Sequence, residues 1–388
     1  MRCNLQAKQT GSIPAFLLAF VMFEPAKIEP HESADEWAIR SEFWISQSAK
    51  SKRKRLTRER NSNPLILTGH GTSLRIENGT LVIRQGFSHY PQEAECHRFF
   101  KGDLALPRII VLLDGSGSLS FDVLSWLGEQ GIALARIKWN GEVAVFASGA
   151  GFSANAEKLR WQFEMQSSPA KRIEFARDLI CRKFRNSIET LQSHFEPSRM
   201  REIAIEKANA GARRLANEQF KDMQEIRAIE GECAVAYFAA WCGLEMRWTA
   251  STRYPVPDQW QSFRSRSSIL TGRKPKNWKA SHPINAMLNY AYAVKAAQLQ
   301  IQAVADGYDP YAGIMHHTRP DFPAYVYDLI EPERPKVDAA ILKFAKGRKF
   351  SGADFVLRSD GVCRLSPQLA RVVAQSIAVM GLPTSKSN

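Results

Sequence analysis

The feature that most restricts the fold is a change of period near residue 153. Before it, apolar and polar residues alternate. SLRIENGTLVIR (73–84) is apolar at alternate positions on both sides of Asn78-Gly79, and ALARIKWNGEVAVFA (133–147) repeats the design around Asn140-Gly141. Alternation places one set of side chains on one face of a strand. Asn-Gly tolerates the positive φ angles of the tight turn joining antiparallel neighbours, so two β-hairpins are predicted. RIIVLLD (108–114) adds a further strand. Beyond residue 153 the strand signals nearly vanish, and helical spacing predicts helices over 154–166, 169–195, 197–247, 284–306, 323–347 and 366–380. The fold class implied is α+β, with a β-rich N-terminal domain (62–152) followed by a larger all-α domain (153–388). Residues 1–61 show no sustained periodicity and end in SKRKRLTRER (51–60), so they are expected to form an N-terminal extension and basic linker.

Charge narrows the partners. Among 388 residues, 53 Lys and Arg face 39 Asp and Glu, a formal charge of +14. Such a balance favours polyanions, nucleic acid before an acidic membrane surface. Six cysteines (Cys3, Cys96, Cys181, Cys233, Cys242, Cys363) include no CxxC pair, which suits a reducing compartment and offers no zinc site. A cytoplasmic location is expected. The apolar run AFLLAFVMF (15–23) is too short to span a bilayer and lacks a convincing cleavage site after it.

Four stretches carry chemical signals of unequal strength. LLDGSGSLS (112–120) runs from a strand into a glycine-rich segment, but it lacks the Gly-Lys-Ser/Thr ending that a phosphate-cradling loop requires, so a tight turn with serine caps is expected. TASTRYPVPDQWQSFRSRSSILTGRKPKNWKASHP (249–283) interleaves cations with Trp260, Phe263 and Trp278. It reads equally as a loop contacting DNA or as an insertion anchored by its aromatics. In IRAIEGECAVAYFAAWCGLEMRW (226–248), helical steps from Glu230 reach Ile226, Cys233, Ala234, Tyr237 and Trp241, which sets a carboxylate on an apolar face. Such a group needs an ion-pair partner or a metal. Gly231 beside it suggests close approach of another backbone or a ligand.

GIMHHTRPDFPAYVYDLIEPERP (313–335) supplies possible companions for Glu230. Asp328 and Glu331 are three residues apart and share a side if the segment is helical. His316 and His317 stand upstream, and adjacent residues rarely aim at one point. One imidazole with two or three carboxylates suits manganese or magnesium better than zinc. A buried salt-bridge network using Arg319 or Arg334 is the competing expectation.

These motifs resemble a known family. GIMHHTRP…VYDLIEPERP resembles the histidine and DLxEP-type motif of the CRISPR-associated endonuclease that serves as catalytic subunit of the spacer-acquisition integrase. IRAIEGECAVAYF resembles its Glu-Gly helix, HPINAMLNYAYAV its Asn-rich helix, and FVLRSDGVCRLSPQLAR (355–371) its C-terminal segment. SLRIENGTLVIR and GSGSLSFDVLSWLGEQGIALARI look like its β domain, so the likeness runs in order from about 64 to 380. It implies that the helical domain is catalytic, with Glu230, His316 and Glu331 holding Mg²⁺ or Mn²⁺ and Asp328 a further acid of the catalytic site. His316 takes the role because Gly313 through His316 match the family's Gly-apolar-apolar-His; the next position, commonly acidic there, is His317 here.

The implied activity is metal-dependent DNA cleavage and joining of the 3′-hydroxyl ends of short duplexes, the new spacers, into the CRISPR repeat array. The implied partners are double-stranded DNA (spacer precursor and CRISPR repeat), a second copy of the chain in a homodimer, and a small ferredoxin-like subunit, with no membrane. The alternatives are a catalytically silent DNA-binding architectural protein and a metal-dependent hydrolase of RNA or another phosphodiester. Intact Glu230, His316, Asp328 and Glu331 argue against loss of catalysis.

Overall fold

The computed structural model describes residues 35–51, 60–61, 63–86, 95–138, 143–146, 155–250, 252–266, 279–319 and 322–378. The chain divides into two compact units, Met1–Asp35 and Glu36–Asn388, and all of these residues except Asp35 lie in the second. The apolar run 15–23, most of the basic run 51–60, the Asn140-Gly141 turn and Trp278 lie outside the described residues.

The N-terminal part is a six-stranded mixed sheet built from β1 (Leu65–Glu77), β2 (Thr80–Arg84), β3 (Cys96–Phe99), β4 (Ile109–Leu119), β5 (Ala133–Ile137) and β6 (Val143–Phe146) in the order β3-β2-β1-β4-β5-β6. Asn78 and Gly79 adopt φ of 50° and 75°, and Glu77 pairs with Thr80, so the first hairpin turns where the sequence places it. A helix over Phe121–Glu129, numbered α2 in chain order, joins β4 to its parallel neighbour β5. Alternation decides which face each residue serves. Leu67, Ile110 and Leu134 meet Val123, Trp126 and Leu127 of α2, whereas Ile66, Val111, Leu113, Ala135 and Ile137 join the core of the helical part. Each Leu, Ile or Val side chain so withdrawn from water contributes roughly 1.5–3 kcal/mol.

LLDGSGSLS departs from expectation. β4 continues through Leu119 in parallel register with β1, and Ser120 precedes α2 without a side-chain cap bond. The glycines admit bulges between two long strands and do not form a turn.

The C-terminal part holds α3 (Ala156–Ser167), α4 (Pro169–His194), α5 (Arg199–Asn217), α6 (Met223–Ala239), α7 (Pro283–Ala305), α8 (Ala324–Ile330), α9 (Arg334–Lys346) and α10 (Pro367–Ala378). It is mainly helical but not all-α. Short strands β7 (Arg247–Trp248) and β8 (Lys349–Phe350) pair in parallel, and β9 (Phe355–Leu357) pairs antiparallel with β10 (Cys363–Leu365). The segment 197–247 splits into α5 and α6, because Asp222 caps a new helix by accepting the backbone N–H groups of Gln224 and Glu225.

The largest departure is α1 (Glu36–Ser51), a helix inside the stretch expected to be an extension. Trp44 is fully buried, stacks on Phe344 at 5.8 Å and donates its indole N–H to Asp354 at 2.7 Å. Arg40 makes a two-pronged ion pair with the same carboxylate, at 2.9 and 2.7 Å. The fold of this part therefore includes residues 36–51. Among the described residues no helix is long and apolar enough to cross a membrane.

Candidate active site

A cavity of about 430 Å³ in the helical part is lined among others by Lys183, Glu230, His316, Glu331 and Arg334. α4 supplies Lys183 and α6 supplies Glu230, while the loop before α8 supplies His316 and the turn after it supplies Glu331.

Local sequence explains the turn. Pro332 cannot donate the N–H that would continue α8, so the helix gives way to a 3-10 turn over Glu331–Glu333, and Pro335 sits in the first turn of α9. Glu331 is thereby held at a break between helices. α4 is fastened to this turn along one face: the Asn186 amide donates to Pro332 O at 2.6 Å, and the Thr190 hydroxyl donates to Pro335 O at 2.9 Å. One turn before Asn186 on that face is Lys183.

The loop bearing His316 is locked from both sides. Asp328, fully buried on α8, accepts the backbone N–H groups of Ile314 at 2.6 Å and Met315 at 3.0 Å on one oxygen. Its other oxygen accepts the His316 N–H at 2.9 Å and lies 2.7 Å from His316 Nδ1. A carboxylate that receives this many donors acts as an acceptor only, so Nδ1 is the donor in this contact and Nε2 is the ring nitrogen that Asp328 leaves uncommitted. On the opposite side Arg172 and Arg227 donate to the carbonyls of Ile314 and Met315. Gly313 is required here, since a Cβ would meet Ala324 Cβ at 2.4 Å and His316 O at 2.6 Å. The His316 ring is flanked edge-on by the stacked pair Phe322 and Tyr327.

The two glutamates converge on one charge. Lys183 Nζ donates to Glu230 Oε1 at 2.5 Å and to Glu331 Oε2 at 2.6 Å, while Arg334 Nε donates to the other oxygen of Glu331 at 3.0 Å. Burial alone would push the Glu331 carboxyl up, but the Arg334 and Lys183 charges outweigh it and hold the pKa at about 2. Burial likewise works against the Lys183 ammonium, and the charges of Glu331 and Glu230 more than offset it, so its pKa is raised. Deeper in the wall, burial lifts Asp338 to about 6 although the hydroxyls of Tyr292 and Tyr237 donate to it.

Of the residues singled out in the sequence, Glu230, His316 and Glu331 line one cavity, and Asp328 lies behind His316 as its support. His317 is exposed and lines a separate depression with Arg172, Lys221 and Arg227. Arg319 is exposed, and the arginine that pairs here is Arg334. Glu230 keeps 28% side-chain exposure at the cavity wall, so it is less enclosed than its helical neighbours implied. Among the described residues nothing lies within 4 Å of a Cβ built on Gly231, so no close approach among them explains that glycine. Trp260 and Phe263 are buried core anchors and offer no face to bases. Lys183 was missed, because KRIEFARDLICRKFRN (171–186) is rich in cations and nothing local singles one out.

Among the described residues, no three His, Cys, Asp or Glu side chains stand close enough together to hold a metal ion. The donor chemistry nevertheless fits a hard divalent cation. Two carboxylate oxygens already address one positive centre, and His316 Nε2 is the imidazole nitrogen left free by Asp328.

The family model described as CRISPR associated protein Cas1 matches residues 65–378, most of the chain and the whole of this cavity. The chain belongs to the Cas1 family. It is similar to a CRISPR-associated endonuclease Cas1 of Korarchaeum cryptofilum, 27% identical over 297 residues that make up 73% of this chain and 78% of the relative. Among solved structures it resembles a casposase bound to integration product, with a TM-score of 0.64 at 23% identity over 82% of each chain. It also resembles a Cas6-RT-Cas1–Cas2 complex, with a TM-score of 0.62 at 15% identity over 88% of this chain and 34% of that one. At these identities the structural likenesses carry the Cas1 fold alone. α1 precedes the region that the family model covers, although its side chains belong to the same core.

Proposed function

We propose that this Cas1 protein is a metal-dependent DNA endonuclease and integrase of CRISPR adaptation, joining 3′-hydroxyl ends of short duplex DNA into the repeat array. The observation that carries the reading is the convergence of Glu230 and Glu331 on one cation beside an imidazole fixed by Asp328. Glu230, His316 and Glu331 would hold Mg²⁺ or Mn²⁺. When bound, that ion supplies a Lewis acid that favours deprotonation of a 3′-hydroxyl or water and offsets charge on the attacked phosphate.

The chain's own residues do the remainder. Asp328 keeps the Nδ1 proton in place and so presents Nε2 to the cavity. Arg334, paired with Glu331 in the wall, and Arg266, whose Nη1 has no hydrogen-bond partner among the described residues, add fixed positive charge where a phosphodiester would sit. The net charge of +14 supports duplex binding through phosphates, largely indifferent to sequence and steeply dependent on salt. For partners, the solved Cas6-RT-Cas1–Cas2 complex supports assembly with a Cas2-type subunit; the proposed complex takes that subunit to be small and ferredoxin-like and contains this chain as a homodimer.

The test is joining of short 3′-hydroxyl DNA to a supercoiled plasmid with Mn²⁺. Wild type is expected to join, Glu230→Ala and His316→Ala to lose joining, and His317→Ala to retain it. Full activity of the first two variants rejects the assignment, and loss in His317→Ala alone transfers the role to the neighbouring residue.

A further inference from the structure

We propose that Lys183 is a resident counter-ion of the metal centre: its ammonium holds Glu230 and Glu331 together in the metal-free protein, and a divalent cation must displace it to bind. This rests on the reading of Glu230 and Glu331 as metal ligands. The ammonium lies within hydrogen-bond distance of one oxygen from each carboxylate, the place where a shared cation would bind. An ammonium and a divalent ion repel each other strongly at such separations, and both need the same lone pairs. Occupation by one therefore excludes the other.

Position and mobility both suit the role. The α4 backbone is pinned next to Glu331 through Asn186 and Thr190, so the lysine stem always starts from the same point. The stem itself is flexible, and the cavity of about 430 Å³ gives the displaced ammonium room to move. Arg334 cannot substitute for it, because its bond goes to the opposite oxygen of Glu331. Without Lys183 two carboxylates would face each other with Arg334 compensating only Glu331, from its far oxygen. With it, the ligand geometry is preserved between metal-binding events, at the expense of metal affinity.

A merely structural strut and a competing counter-ion predict opposite changes, so the sign of the change in metal affinity decides. Mn²⁺ is titrated calorimetrically into the full-length wild type, Lys183→Met, Lys183→Arg and Glu230→Gln, with folding checked by circular dichroism. Lys183→Met is expected to bind Mn²⁺ about tenfold more tightly than wild type, as removal of a competing cation requires. Lys183→Arg, which keeps the charge, is expected to bind no more tightly than wild type. Lys183→Gln carries the same expectation as the methionine variant should the latter not fold. Equal or weaker binding in the neutral variants overturns the counter-ion and leaves a strut. Binding undiminished in Glu230→Gln, or absent from wild type and neutral variants alike, overturns instead the assignment of the carboxylates as ligands, and the counter-ion with it.

Discussion

Asp328→Asn is the substitution with the most informative consequence, because it changes one atom in a fully buried group that four donors surround. Its two oxygens receive three backbone N–H groups and the His316 ring. An asparagine keeps one oxygen and turns the other into a donor. If the oxygen stays toward Ile314 and Met315, the new NH₂ faces the His316 N–H, 2.9 Å from the replaced atom, and that contact becomes donor against donor. The ring can adapt only by accepting at Nδ1, which moves its proton to Nε2 and removes the lone pair presented to the cavity. Two hydrogen bonds to a charged group are worth roughly 1.5–3 kcal/mol each. Relief from burying a charge returns part of that, so the net loss of stability is about 2–4 kcal/mol.

Guanidinium denaturation followed by circular dichroism measures the stability term. Mn²⁺ affinity and plasmid joining measure the other, each expected to fall roughly 10–100-fold, the usual effect of removing the group that orients a metal-binding imidazole. A variant within about 1 kcal/mol of wild-type stability and within about threefold in Mn²⁺ affinity would refute the role given to Asp328, since both losses come from the same four contacts.

Two further perturbations probe the surroundings. Trp44→Ala empties a fully buried site between Phe344 and Phe350 and removes one donor from Asp354, so denaturation should show a loss of about 3–5 kcal/mol; a loss below about 1 kcal/mol would mean that α1 is not part of the folded core. His282, whose ring accepts the N–H of Ile284 at the start of α7, has its pKa lowered by burial from 6.5 to about 4. The unfolded chain therefore binds the extra proton first, and stability should fall by about 3 kcal/mol as pH drops from 6.5 to 4; His282→Asn should flatten that part of the stability–pH curve.

How far the sequence disclosed this arrangement depended on whether the governing interaction was local. The Asn78-Gly79 turn was legible because positive φ is a property of two adjacent residues. The helices after residue 153 were legible because apolar residues recur at helical spacing within long uninterrupted segments, and the segment 197–247 was read as continuous because the break at 218–222 has neither glycine nor proline. Interactions across the chain left no such mark. The buried face of α1 carries Arg40, which reads as solvated until its partner Asp354 is known, 314 residues further on. Lys183 is equally silent beside Arg182 and Arg185, because only α6 and the Glu331 turn distinguish it. Trp260 and Phe263 read equally as stacking surfaces and as anchors, because composition records which side chains a loop has and not which way they face; both are buried anchors.

The site residues are set by contacts that do not involve the cation they are proposed to hold. Asp328 and two arginines fix the His316 loop, the proline turn fixes Glu331, and the Asn186 and Thr190 clamps fix α4. Preorganisation of this kind leaves two carboxylates close together, an arrangement that is unstable without compensating charge. A permanently bound arginine would solve the problem and block the centre. A lysine on a four-carbon stem solves it reversibly, since its strongly hydrated point charge can leave when a better cation arrives. The division of labour in the cavity follows: Arg334 holds the outer oxygen of Glu331 permanently, and Lys183 holds the inner pair only until it is displaced.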